Sequence, residues 1–160
     1  MIETKRTLLR PINAKDRDDI FTYRSDAETN KYQGWVPKSK EDVGAFIAKV
    51  AKEINMPETW FQLVIIDKES KKIIGDAGIH FMDAENQQCE LGCTLSKAYH
   101  GKGLATEVMN NIISHLFHEL KKHRITASID PKNVGSIKSV ERLGFRKEAH
   151  FVESYNANGQ

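Results

Sequence analysis

Glycines at 101 and 103, standing just ahead of a long apolar-periodic stretch, are the sharpest chemical feature of this chain. They lie in Tyr99-His100-Gly101-Lys102-Gly103-Leu104-Ala105-Thr106, between a strand-like run and the start of a helical pattern. Glycine lets the backbone turn tightly and leaves its N–H groups open to close approach. The first turn of a helix adds unpaired N–H donors and a partial positive charge. Together these suit a phosphate or pyrophosphate, with Lys102 supplying a charge at the rim; a plain glycine-containing turn is the alternative. A Walker loop requires Lys-Ser/Thr after its second glycine, and that pair is absent. A dinucleotide fingerprint requires a third glycine where Thr106 stands. Asp130, at the end of the next strand, stands where a ribose-binding acid would, which keeps a nucleotide-binding reading open.

Other residue types tempt a chemical reading. Cys89 and Cys93 have the spacing of a metal pair, but in a strand they lie about 13 Å apart at about 3.3 Å per residue. That is too far for a disulfide or a shared ion, so both read as core. His115 and His118 are helical neighbours without further ligands in view and read as a solvated face. In the run 89–95 (CELGCTL), Glu90, Gly92 and Thr94 share one strand face, and Cys89, Leu91 and Cys93 the other.

The elements that must position these residues can be read along the chain. Residues 7–11 (TLLRP) form a short strand. Asn13 caps a helix running to about Arg24, with Asp16 in its first turn. Ser39 caps a second helix, whose stripe is Val43, Phe46, Ile47, Val50 and Ile54. Residues 60–67 and 73–81 read as a hairpin about a turn at 68–72. The longest helix spans about 103–122, with Leu104, Val108, Ile112, Leu116 and Leu120 as its stripe, widened by Met109, Ile113 and Phe117. Residues 124–129 form a strand parallel to 89–95, by a right-handed crossover. A short helix at 134–143 closes with Gly144 as its C′ residue, and 145–154 is a last strand. The fold class is therefore α/β (α+β), a mixed, mainly antiparallel sheet with a central βαβ unit and flanking helices.

The chain has 160 residues, a length for one domain spanning 1–160. Its formal net charge of +2 is too mild to imply nucleic acid as a partner. No apolar run approaches the roughly 18 residues of a membrane span. Two cysteines and no leader-like start read as a reducing, cytoplasmic setting.

Four segments in this order resemble those of the GCN5-related N-acetyltransferases, the GNAT superfamily. Residues 100–105 (HGKGLA) are similar to its Q/R-x-x-G-x-G/A signature, with His100 at the Gln/Arg position. Residues 130–136 (DPKNVGS) resemble its D-x-x-N-x-x-S segment, 141–145 (ERLGF) its E-x-x-G-F, and 90–92 (ELG) its A-E-I-G strand. The opening TLLRP resembles the start of the RimJ/RimL subgroup, which acetylates the N-termini of ribosomal proteins. The resemblance covers about residues 7–155.

The resemblance implies direct transfer of an acetyl group from acetyl-CoA to an amine, without a metal or a covalent intermediate. By it, His100, Gly101, Lys102, Gly103, Leu104, Ala105 and Thr106 cradle the pyrophosphate. Strands 89–95 and 124–129 splay to admit the pantetheine arm, held by the backbone of Thr94 and Leu95. Asn133 holds the cofactor from the opposite side, or caps a helix. Glu90 is the implied general base, through water, or a buried carboxylate satisfied by a neighbour. Many relatives carry a tyrosine acid where Val140 stands, and Ser136 takes that role here, or is a first-turn helix residue. Tyr32, Gln33 and Trp35 fall between the first two helices, where the family binds its acceptor, and Glu90 is a further acceptor-binding candidate; Trp35 is equally a core candidate. Asp26 and Glu28 would favour a cationic acceptor, or are simply solvated. The acceptor is an amine, a protein N-terminal α-amine first and a polyamine, aminoglycoside or amino sugar second. A non-catalytic module binding CoA or a nucleotide is the other class. The family closes its sheet with one more strand after 156–159, which this sequence lacks, so the expectation is a sequence truncated at Gln160, a sheet one strand short, or a sheet completed by another chain in a homodimer.

Overall fold

The apolar runs at 59–67 and 73–81 pair as an antiparallel hairpin at the centre of a sheet that has six strands among the described residues. The structure, a computed structural model, describes residues 2–26 and 35–127, with Lys138, Glu141 and Gly144 beyond them. Its strands are β1 (Ile2–Glu3), β2 (Thr7–Pro11), β3 (Thr59–Asp67), β4 (Ile73–Phe81), β5 (Gln88–Leu95) and β6 (Arg124–Thr126), neighbours in that order. All pairs are antiparallel except β5–β6, which is parallel as the crossover requires. Strand β1 is absent from the sequence reading, because two residues are too few to show alternation. The β3–β4 turn is closed by Asp67, whose carbonyl accepts from Lys71 N at 2.8 Å and whose N–H donates to Lys72 O at 2.9 Å. A bulge between Ile65 and Ile66 shifts the register by one residue.

Helix α1 (Arg17–Arg24) follows a 3₁₀ turn at Ala14–Asp16 that Asn13 caps, with Asp16 reciprocating to the Asn13 N–H at 2.8 Å. Helix α2 (Lys40–Lys49) starts at Ser39, whose hydroxyl accepts from Asp42 N at 3.2 Å. It stops short of the expected stripe. Val50 is extended and Ile54 lies beyond the helix, because Ala51 N turns to Trp60 O of the neighbouring strand at 2.8 Å in place of the next helical bond. Helix α3 (Leu104–Ser114) passes into a π-helical turn at His115–Glu119, so the helix ends before Lys122. The i→i+5 bond from Leu120 N to His115 O, 3.1 Å, changes the phase of the face. Phe117 is therefore 40 % exposed instead of widening the apolar stripe.

The sheet buries both faces. Leu104, Val108, Ile112 and Leu116 of α3 pack on Leu63, Ile79, Leu91 and Cys89. Ile20 and Tyr23 of α1 and Val43 and Ile47 of α2 pack on Val64 from the other side. Each fully buried aliphatic side chain contributes about 1.5–3 kcal/mol relative to exposure. Lys138 and Glu141 are helical and Gly144 has φ +92°, its N–H bonded to Glu141 O at 3.0 Å. The remainder of that expected helix, residues 128–130 and the last strand lie outside the described residues.

Candidate active site

The glycine loop leads directly into α3. Gly101 and Gly103 have φ +74° and +76°, a left-handed conformation in which an L side chain is strained. The N–H groups of Gly101, Lys102 and Gly103 donate to no acceptor among the described residues. They stand beside the orphan donors of the first turn of α3, so loop and helix start together carry a run of N–H groups. No described atom lies within 4 Å of a Cβ built on Gly101. The His100 ring turns away from this cluster: its Nε2 meets Leu95 O at 2.8 Å and ties the loop to the end of β5. Lys102 lies over the Tyr99 ring, 5.4 Å from its centroid. A cavity of about 310 Å³ beside the loop is lined by Lys5, Arg6, Lys68 and Lys102 together with Asp67 and Glu69.

The N-terminal strands brace this loop. Arg6 donates from Nη1 to Lys102 O at 3.0 Å and from Nε to Glu107 Oε1 at 2.9 Å. Glu107 Oε2 accepts from Arg6 N at 2.9 Å and from Thr4 Oγ1 at 2.6 Å. Burial raises the Glu107 carboxyl, but the hydrogen bonds from Thr4 and Arg6 outweigh it and hold the group below its ordinary value.

Strand β5 carries the second part of the site. Its pairing with β6 runs from Gln88↔Arg124 to Glu90↔Thr126, and Ala127 is no longer in the strand. Beyond Glu90 stands the exposed Gly92, with no described atom within 4 Å of a Cβ there. Glu90 is half-buried, opposite His80 of β4, with Oε1 3.9 Å from His80 Nδ1. Thr94 is buried opposite Asp76.

Asp76, 2 % exposed, is the hub of a buried polar knot. Arg24 donates to it from Nε at 3.1 Å and Nη2 at 2.6 Å, Gln62 Nε2 donates at 2.7 Å, and Tyr23 OH donates as well. Burial pushes the Tyr23 phenol well up, and the Asp76 charge adds to it. Burial opposes the Arg24 charge, yet Asp76 more than compensates and raises the guanidinium. Trp35 is half-buried, 4.8 Å from the Phe46 ring and beneath the Arg24 guanidinium at 5.5 Å.

The structure thus brings Glu90, Thr94 and Leu95 onto one strand, which leads through a 3₁₀ turn at Lys97–Tyr99 into the glycine loop and the first turn of α3. It sets Trp35 apart from them, against α1 and α2. Tyr32, Gln33, Glu28, Asn133 and Ser136 lie outside the described residues. Cys89 is fully buried and Cys93 half-buried, on the α3 face. His118 is exposed and His115 half-buried. The sequence reading missed His80, Trp60 and Asp76, whose roles depend on cross-strand neighbours. Among the described residues no helix is long and apolar enough to cross a membrane.

Among the described residues the mixed sheet has one parallel pair, β5–β6, and β5 runs on toward a glycine loop at the N-terminus of α3. The profile of the acetyltransferase (GNAT) domain family matches residues 6–146. An uncharacterised N-acetyltransferase p20 of Bacillus licheniformis is 31 % identical over 157 residues, 98 % of this chain and 88 % of the relative. The [ribosomal protein uS5]-alanine N-acetyltransferase of Escherichia coli is 31 % identical over 101 residues, 62 % of this chain and 52 % of that protein. The crystal structure of spermidine N-acetyltransferase from Vibrio cholerae, in complex with CoA and spermine, superposes with a TM-score of 0.81. It is 20 % identical, with 97 % of this chain and 89 % of that one covered, and shows the same fold. The chain belongs to the GNAT family and is an N-acetyltransferase.

Proposed function

We propose that the chain moves the acetyl group of acetyl-CoA directly to a primary amine, and that this amine is the α-amine of a protein N-terminus. The observation that supports the donor is the loop at 101–103, where left-handed glycines hold N–H groups without a described acceptor at a helix N-terminus. A pyrophosphate suits such a cradle, and a larger side chain in the loop would strain it. When bound, acetyl-CoA supplies an activated acyl carbonyl and a thiolate leaving group. The chain's own part is to bind, orient and move protons. In this reading the backbone of Thr94 and Leu95 lines the donor arm, and His100 fixes the strand end through the Leu95 carbonyl. Glu90 receives the acceptor's proton through water. Asn133 flanks the donor from the other side, Ser136 gives a hydrogen bond to the departing thiolate, and Tyr32 and Trp35 frame the acceptor.

An α-amine asks little of its base. With a pKa of about 7.7–8.0 it is roughly a tenth neutral at pH 7, whereas a lysine amine at about 10.4 is under a thousandth neutral. The uS5-alanine relative and the RimJ/RimL-like opening at 7–11 support this acceptor. The fold likeness to the spermidine enzyme favours a second reading, a small-molecule amine. The test is calorimetry with acetyl-CoA, with NADH as control, followed by an acceptor panel of an alanine-starting peptide, spermidine, kanamycin and glucosamine. The expected result is micromolar acetyl-CoA binding, no NADH binding, and fastest acetylation of the peptide. Preference for spermidine moves the conclusion to the second reading; NADH binding without acetyl-CoA binding sinks both.

A further inference from the structure

Three neighbouring strands bring Trp60, His80 and Glu90 into one cross-strand row, on the sheet face that carries α1 and α2. The Trp60 and His80 rings stack with centroids 4.5 Å apart and planes 8° apart. A Cβ at Gly78 would stand 3.3 Å from the indole and 2.8 Å from Gln62 Oε1, so this glycine leaves the indole room to lie over the strand. The row is open to solvent: Trp60 is 43 % exposed, and the His80 and Glu90 side chains 29 % and 25 %. It borders the point where β5 and β6 cease to pair. Among the described residues Glu90 is the carboxylate within 4.0 Å of the His80 ring, and Nε2 has no hydrogen-bond partner. From α1, Tyr23 and Arg24 reach Asp76, which lies four residues back along β4 at about 13 Å. From α2, Val43 and Ile47 face the sheet, and from β3, Gln62 is bonded to Asp76.

We propose that His80, in place of Glu90 through water, takes the acceptor's proton, with Glu90 as its charge partner and Trp60 as the plate that fixes its ring; this rests on the acetyltransferase reading above and reassigns only its base. Histidine is the commonest general base, and its two ring nitrogens allow one to face Glu90 while the other meets the acceptor. At 3.9 Å the Glu90–His80 contact is too long for a hydrogen bond to a neutral ring. Once the ring carries a proton the two groups attract, so proton uptake draws them together. An arriving R–NH₃⁺ gives one proton to His80 Nε2. The freed lone pair attacks the thioester carbon, a C–N bond forms and the C–S bond breaks. The second amine proton leaves with the sulfur as CoA thiol, and His80 releases its proton to solvent.

The test begins without ligand. In a Trp35→Phe background Trp60 is the single tryptophan, and acidification is expected to quench its emission through the stacked imidazolium. His80→Gln should abolish that quench; a quench that persists in the variant overturns the proposal. Turnover is then followed with the alanine-starting peptide and with spermidine. His80→Gln should lower kcat about 100-fold and flatten the acid limb of kcat/KM, while calorimetry shows unchanged acetyl-CoA affinity. A variant that binds acetyl-CoA and keeps wild-type turnover overturns the role of His80 alone. A wild-type chain that binds no acetyl-CoA overturns the underlying function as well.

Discussion

Burial pushes the Cys89 thiol up to about 11 and the Cys93 thiol up to about 12, with Asp76 adding to the second. The thiolate is the reactive form, and a free cysteine near 8.5 is about a quarter ionised at pH 8. The same arithmetic leaves the two buried thiols on the order of 10⁻³ and 10⁻⁴ ionised. Ellman's reagent at pH 8 should therefore leave both cysteines untouched in the folded protein and titrate both in guanidinium. Rapid labelling of either in the native state would show that the α3 face opens. The sign for stability follows from the raised values. The thiols' contribution is full below the unfolded value of about 8.5 and is lost as pH rises through the folded ones. The core reading of these cysteines was legible from alternation along β5. The partner of His80 was not. Closing the hairpin at Asp67 and Lys72 alone sets His80 opposite Thr59, and the bulge at Ile65/Ile66 moves it opposite Trp60. A one-residue shift of that kind moves a side chain to the other face.

At the scale of elements, the β1–β2 hairpin is fastened to the N-terminus of α3 through Glu107, and through it to the glycine loop. A hydrogen bond to a charged group is worth about 1.5–3 kcal/mol net, and the half-exposed Arg6 places this clasp toward the lower end. Glu107→Gln is expected to cost about 2 kcal/mol in urea unfolding at pH 7 and to weaken acetyl-CoA binding, because Arg6 also holds Lys102 O. The pH dependence has a definite sign. The folded Glu107 value is depressed, so its stabilisation is present above the ordinary carboxyl value of about 4.3 and is lost as pH falls through the folded value. The stability gap between wild type and variant should close in acid; a gap that stays constant to pH 3 rejects the clasp. Caps at Asn13 and Ser39 made helix starts legible. Helix ends were set elsewhere: Trp60 O took the N–H of Ala51, and the bond to His115 O widened the last turn before Lys121. Periodicity within one helix carries no record of such competitors.

At the scale of the molecule, the two layers are held to the sheet by different means. The α3 layer packs through a broad apolar cluster, whereas the α1/α2 layer combines a small one with the charged knot at Asp76. Element order made the α/β class legible, since a hairpin followed by strand–helix–strand admits few arrangements. An aspartate inside a buried strand was not legible as a hub, because its three partners come from α1 and β3, up to 53 residues away. Breaking a buried ion pair by removing one charge strands the other, at about 3–5 kcal/mol. Asp76→Asn should reach about that cost, and Trp35 emission should report it, because Arg24 sits 5.5 Å above its ring. Replacing both charges with apolar residues of similar size, Arg24→Met with Asp76→Leu, should recover much of the loss, since no unpaired charge remains. The glycine loop belongs to the α3 side, so acetyl-CoA affinity should change little in Asp76→Asn while the acceptor's KM rises. A single variant that weakens acetyl-CoA and acceptor equally would mean that the two layers do not divide donor from acceptor.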